Sequence, residues 1–220
     1  MPDSGNIDVG VRRAWQRAPE AERRADLIQA TIDCVADGGI AAATVREVAA
    51  RAGVSNGLIR HHFASKEALV QAAYQALVEA MNGQAEEAAR AAPPEQRLAC
   101  FITANTRPPV LDARSLSAWA GFVGSIHCYP VMAAIHRAGY LRFCEFLQSH
   151  IAAHFTRRGR PLATSTTARH ARQIAALIDG LWLEGCLAPD LFADGDLAKL
   201  ALDAAGRLLD TDLTEPEPLT

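Results

Sequence analysis

Several things this sequence lacks narrow what it can be. No apolar run approaches the roughly eighteen residues that span a bilayer, and the leader MPDSGNIDVGVRRAWQR contains no apolar signal core. The expected location is therefore the cytoplasm. Cysteines are few, odd in number and dispersed (Cys34, Cys100, Cys128, Cys144, Cys186), and no two form a C-x-x-C pair. That argues against a disulfide framework and for reduced thiols acting mainly as small core hydrophobes. Neither a phosphate loop nor G-x-G-x-x-G occurs, so an enzyme has little to stand on and no cofactor is expected. The pair His150-Ile-Ala-Ala-His154 has metal-ligand spacing but lacks the Glu of H-E-x-x-H, and it reads as a solvated helix end.

Strand signals are missing too. There is no sustained alternation of apolar and polar residues and no hairpin signal between Val/Ile-rich runs, so the chain reads as all-α. Half of its residues are hydrophobic, enough over 220 residues for one sizeable helical core or two smaller ones. The net charge of -3 speaks against a nucleic-acid partner only on average. From Val11 to Lys66 nine basic residues face six acidic ones, whereas Asp190 to Thr220 holds eight acids against two bases. The head is basic and the tail acidic.

A first helix is expected over Glu20 to Asp37, with Leu27, Ile28, Thr31, Ile32 and Val35 as its apolar stripe and Gly38-Gly39 as its stop. Thr44-Val-Arg-Glu47 is a capping box, in which the Thr hydroxyl and the Glu carboxylate each take a backbone N–H. The short helix behind it carries Val45, Val48, Ala49 and Ala52 on one face, and Gly53 ends it. A third helix follows from Ser55 or Asn56 to His62, and Ser65 caps a fourth that runs to about Ala91. Prolines at 93, 94, 108 and 109 separate further helices, expected over Glu95 to Asn105, Ala113 to His127, Pro130 to Phe155, Thr167 to Cys186 and Asp196 to Leu209.

Two short helices joined by a glycine-containing turn make a helix-turn-helix, which lays its second helix in the major groove of double-stranded DNA. That accounts for Arg60, His61 and His62 crowding onto one helical turn: the helix is too short to bury more than Val54, Leu58 and Ile59, and its polar side is left to be read against DNA. His62 is open to either reading, packing residue or DNA contact.

Along Arg23 to Val70 the sequence resembles the TetR family of bacterial repressors: Arg24, Leu27, Ile28 and Ala30 at the entry, then TVREVAARAGVS, a helix closing on H-H-F, and SKEAL. The resemblance implies that Thr44 touches phosphate and Arg46 reaches a base. It further implies that Ser55, Asn56 and Gly57 front the recognition helix and that His61 and Lys66 touch phosphate. Arg60 stands where relatives carry Tyr, so its target, phosphate or base, stays open. The implied organisation is an N-terminal arm over 1–19, a DNA-binding domain over 20–66, an effector-binding and dimerisation domain over 67–210, and a disordered tail over 211–220. Arg12, Arg13, Trp15 and Arg17 in the arm either reach the minor groove or form a leader with Trp15 tucked against the domain.

Family resemblance implies a homodimer paired through its last two helices, with Leu202 among the interfacial positions, on a palindromic operator. Two stretches, SAWAGFVGSIHCYP and ALIDGLWLEGCL, resemble the choline-responsive BetI group within the family. On that basis Trp119, Phe122, Tyr129, Tyr140, Asp179 and Trp182 are expected to hold a small effector, a quaternary amine being the class whose charge an acid balances and whose methyl groups aromatic faces cover. The expected function is a repressor of glycine betaine synthesis released by that effector. The alternatives are a related regulator with a different effector and a helical ligand carrier without DNA function.

Overall fold

The computed structural model describes residues 19–213, and the arm residues named above lie outside them. Among the described residues there are nine α-helices and no strand. They are α1 (Glu20–Ala42), α2 (Val45–Arg51), α3 (Asn56–His62), α4 (Lys66–Ala91), α5 (Arg97–Ala104), α6 (Ala113–Val123), α7 (Pro130–Arg157), α8 (Thr164–Leu187) and α9 (Asp196–Leu209). Short 3-10 turns occupy Ile126–Cys128 and Pro189–Leu191. No described helix is long and apolar enough to cross a membrane.

The chain divides into two compact units, residues 19–77 with 117–135 and residues 78–116 with 136–213. The boundary expected at residue 66 is not where packing changes, because α4 is one unbroken helix whose first three turns, with Leu69, Val70, Ala73 and Tyr74 buried, complete the core of the first unit.

In the first unit α1 is broken where the glycines predict. Gly39 sits at φ 70° and ψ −177°, a region essentially closed to any residue with a Cβ, so the chain turns there toward Thr44. The Thr44 hydroxyl accepts the Glu47 backbone N–H at 3.1 Å. The return half of the capping box is replaced: the Thr44 N–H donates to the Ala42 carbonyl at 2.7 Å, a bond the tight turn supplies instead. Val48 and Ala49 are buried, and Gly53 at φ 67° turns the chain into α3. Only Ile59 of α3 is buried; Val54 and Leu58 are half-buried, so one isoleucine and the following Phe63 anchor the recognition helix.

The helix expected to reach His127 ends at Val123. Gly124 and Ser125 follow, the Ser125 N–H bonding to Phe122 at the tighter i−3 spacing and its hydroxyl to the Gly121 carbonyl. Tyr129 is then extended, as a residue before proline must be.

In the second unit α9 packs on both α5 and α8, burying Ala198, Ala201, Leu202, Ala205 and Leu209. Leu202 is 3% exposed and belongs to this core, not to a surface awaiting a partner. His150 and His154 are likewise buried, which corrects the solvated-end reading: His150 Nε2 lies 2.8 Å from Glu86 Oε2, and His154 Nε2 lies 3.2 Å from the Thr211 hydroxyl. Among the described residues no cluster of His, Cys, Asp or Glu could hold a metal. Leu213 is buried as well, so packing reaches the third residue of the expected tail, whose remainder lies outside the described residues.

Candidate nucleic-acid interface and effector-binding residues

The first unit displays a polar surface on and around α3. Thr44, Arg46, Ser55, Asn56, Gly57, Arg60 and His61 are all exposed. Arg46 and Arg60 are exposed, while Ile59, Val48 and Ala49 are buried in the core of the unit. Lys66 is half-buried and donates from Nζ to the Ile40 carbonyl at 3.4 Å, which holds its ammonium near the end of α1. Arg51, which sequence reasoning passed over, is engaged within the unit by Asp37 at 2.6 Å.

His62 differs from its neighbour. Its ring meets His61 edge-on at 5.3 Å, its Nε2 is buried with no hydrogen-bond partner, and its pKa is lowered by burial and then by the charges of His61, Arg23 and Arg24. Packing is the role this supports. The string Gly53-Val-Ser-Asn-Gly57 spells G-x-S-x-G, the letters of a hydrolase nucleophile elbow. Ser55 here precedes α3 in a turn between two helices, and no strand leads into it, so that mechanics is missing.

The six residues expected around an effector fall in both units. Three lie in the first. Phe122 is fully buried and stacks on Tyr74 with ring centroids 4.9 Å apart, so it packs the core of that unit. Trp119 is buried one turn earlier on α6. Tyr129 is exposed and lines a recess of about 50 Å³ with Ile40, Lys66, Glu67, Val70, Gln71 and Met132.

The other three, Tyr140, Asp179 and Trp182, are in the second unit. Asp179 and Trp182 lie three residues apart on α8 and so share a face. The Trp182 indole N–H donates to the Asn105 backbone carbonyl, and its ring faces Phe143 at 6.4 Å between centroids. Phe143 in turn meets Phe101 at 5.6 Å. Burial pushes the Asp179 carboxyl up to about 6, and no basic side chain among the described residues forms an ion pair with it.

Tyr140, on α7 one turn before Phe143 and Cys144, has its hydroxyl pushed up to about 12 by burial, then by Cys144 and the Asp179 charge. His136 stacks on it at 6.4 Å, and burial lowers the histidine's pKa. The second unit thus holds a carboxylate without an ion-pair partner and several aromatic rings, with the Arg172 charge opposing the upward shift at Tyr140. Sequence reasoning missed Asn105 and His136 here, because neither sits in a periodic pattern that marks it.

The family model described as bacterial regulatory proteins, tetR family, matches residues 27–73, and the one described as BetI-type transcriptional repressor, C-terminal, matches residues 94–210. A relative named HTH-type transcriptional regulator BetI from Pseudomonas aeruginosa is 30% identical over 184 residues, covering 82% of this chain and 90% of the relative. Its namesake from Burkholderia mallei is 30% identical over 189 residues, covering 85% and 93%. Among solved structures, a transcriptional regulator from Pseudomonas aeruginosa PAO1 superposes with a TM-score of 0.76 at 30% identity, over 89% of this chain and 92% of that one. A regulator from Saccharomonospora viridis, solved in complex with choline, shares the fold with a TM-score of 0.68 at 20% identity, over 87% and 97%. The chain belongs to the TetR family of bacterial regulatory proteins and is a helix-turn-helix transcriptional regulator with a BetI-type C-terminal region.

Proposed function

We infer that this regulator is a cytoplasmic homodimeric repressor that occludes a promoter and leaves it when a small cationic effector, a quaternary amine such as choline, binds the second unit. Two copies present two α3 helices to half-sites about 34 Å apart on a palindrome, which multiplies the discrimination one short helix can achieve. Arg46 reads a base, and Thr44, His61 and Lys66 fix the register on phosphates. Ser55, Asn56 and Gly57 front α3 against the groove, and Arg60 adds a charged contact.

Dimer pairing uses the outward faces of α8 and α9. Leu183 and Leu187 on α8 and Leu200 and Leu208 on α9 are large, apolar and exposed, and such a face is usual where a partner docks.

The observation that carries the effector reading is Asp179. A partly buried carboxylate with no cation beside it is costly, and a ligand that brings the positive charge offsets the cost. Trp182 and Tyr140 supply aromatic faces, each worth roughly 0.5 to 2 kcal/mol to a desolvated cation. Trp119, Phe122 and Tyr129, expected beside them, belong to the first unit, where Phe122 packs against Tyr74. The choline held by the Saccharomonospora viridis regulator makes choline the first compound to try, and the regulated genes on this reading are those of glycine betaine synthesis.

Effector and operator need only oppose one another by about 1 to 3 kcal/mol for a several-fold to hundred-fold release. Isothermal titration with choline and with ethanolamine, which keeps the charge but has no methyl groups, tests the reading. Choline should bind well and ethanolamine poorly, and Asp179→Asn and Trp182→Ala should each blunt choline-driven release in a band shift while retaining DNA binding. A protein that ignores choline at millimolar concentration but is stabilised by an uncharged metabolite keeps its place as a repressor and loses this effector.

A further inference from the structure

Asn105 closes α5 and is 1% exposed. Three of its polar groups are accounted for: the backbone N–H bonds to the Phe101 carbonyl at 3.3 Å, Nδ2 donates to the same carbonyl at 2.8 Å, and the backbone carbonyl accepts the Trp182 indole. Because Nδ2 faces a carbonyl, the two ends of the amide are not interchangeable. The fourth group, Oδ1, is buried and has no partner among the described residues. An amide oxygen left so costs about 1 to 3 kcal/mol, and nearly all buried acceptors in folded proteins find a donor. This orphan belongs to the residue whose backbone anchors Trp182, one turn along α8 from Asp179.

We propose that Asn105 Oδ1 is the acceptor for a hydrogen-bond donor carried by the cationic effector, so that the site selects a hydroxyl-bearing quaternary ammonium over its ether or unsubstituted analogue. This rests on the effector reading above. Asp179 and the rings of Trp182 and Tyr140 recognise the cationic end, which tetramethylammonium shares; Asn105 recognises the other end. A site that requires a hydrogen bond rejects an analogue lacking the donor more strongly than an apolar pocket rejects a missing methyl group. Thr103 also has a buried, unpartnered hydroxyl, but two residues along a helix it points to the opposite side, and a hydroxyl can turn its hydrogen either way. Thr103→Val is therefore the control.

The test is isothermal titration of the full-length protein with choline, its O-methyl ether and tetramethylammonium, for wild type, Asn105→Leu and Thr103→Val. Wild type and Thr103→Val should prefer choline to the ether by about tenfold, the size expected of one buried hydrogen bond, and Asn105→Leu should bind the two alike. Equal wild-type affinity for choline and the ether overturns the role of Asn105 without any variant and leaves the quaternary-ammonium reading intact. A preference that survives in Asn105→Leu assigns the donor to another acceptor and also overturns it. Wild type that binds none of the three cations overturns the effector reading and this inference together.

Discussion

The Ser117 hydroxyl donates to the Ala36 carbonyl at 2.7 Å, tying α6 to the last turn of α1 just before Gly38 and Gly39 break it. Gly38 and Gly39 leave helical φ/ψ directly after it, so Ser117 does for this turn of α1 what a cap does at an ordinary helix end. Ser117→Ala should lower stability by about 1 kcal/mol, while Ser117→Thr should retain most of it. Urea unfolding followed by circular dichroism measures both, and an unchanged midpoint for Ser117→Ala would mean that water replaces the bond at no cost.

On DNA, two cations should separate by kind of contact. Arg46→Ala should cost roughly 1 to 3 kcal/mol on operator and much less on random sequence, since base edges carry the information. Lys66→Ala should weaken both similarly and flatten the salt dependence by about one counterion. Band shifts across a salt series read both, and an Arg46→Ala protein that footprints like wild type would move the reading surface elsewhere.

Two leucines give opposite outcomes when replaced by arginine. Leu187 is 69% exposed on the outward side of α8, and Leu187→Arg, alone or with Leu183→Arg, should leave a folded monomer that no longer holds operator. Leu202 is 3% exposed inside the second unit, and Leu202→Arg buries an unpaired charge that the fold cannot accommodate. Light scattering together with far-ultraviolet circular dichroism distinguishes the cases. Dimers that persist in the Leu183/Leu187 double variant would place the interface on another surface.

Asp179 predicts a pH dependence of definite sign. Its carboxyl stands at about 6 in the folded chain against an ordinary 3.8, so between those values the native state binds more protons than the unfolded one. Stability from this group therefore falls as pH rises through the window, and the full cost is present above pH about 6. Asp179→Asn should melt higher than wild type at pH 7.5, with the gap closing toward pH 4. Cation affinity should run the other way, weakening as the carboxylate protonates below pH about 6. A melting-temperature gap between the two proteins that is independent of pH would remove Asp179 as a titrating group.

Much of the fold was legible because its signals are local. Gly38-Gly39 stops α1, Thr44 and Ser65 cap the helices that follow them, and the prolines bound α5 and α6, each acting within a turn of its own position. What depended on distant partners was not legible. Leu202 and Leu187 are both leucines on regular helices, and only packing of α9 against α5 and α8 decides that one is core and the other surface. His150 and His154 look like an exposed pair until Glu86 and Thr211, 64 and 57 residues away, arrive beside them. The exposed polar residues around α3 were readable from a motif with fixed spacing, whereas the buried amide oxygen of Asn105 without a donor depends on packing that no local pattern marks.

The first unit is built from two separate lengths of chain, and this sets an order of assembly. Helices α1 to α3 and the opening turns of α4 make contacts at short sequence separation and leave the ribosome first, so they can gather early. Their core stays open until residues 117–135 emerge: the Tyr74 ring waits for Phe122, and the Ala36 carbonyl waits for Ser117. A fragment that stops after α4 therefore carries the whole recognition helix and yet lacks part of the wall behind it. The wall behind the recognition helix is complete only once residues 117–135 have been made.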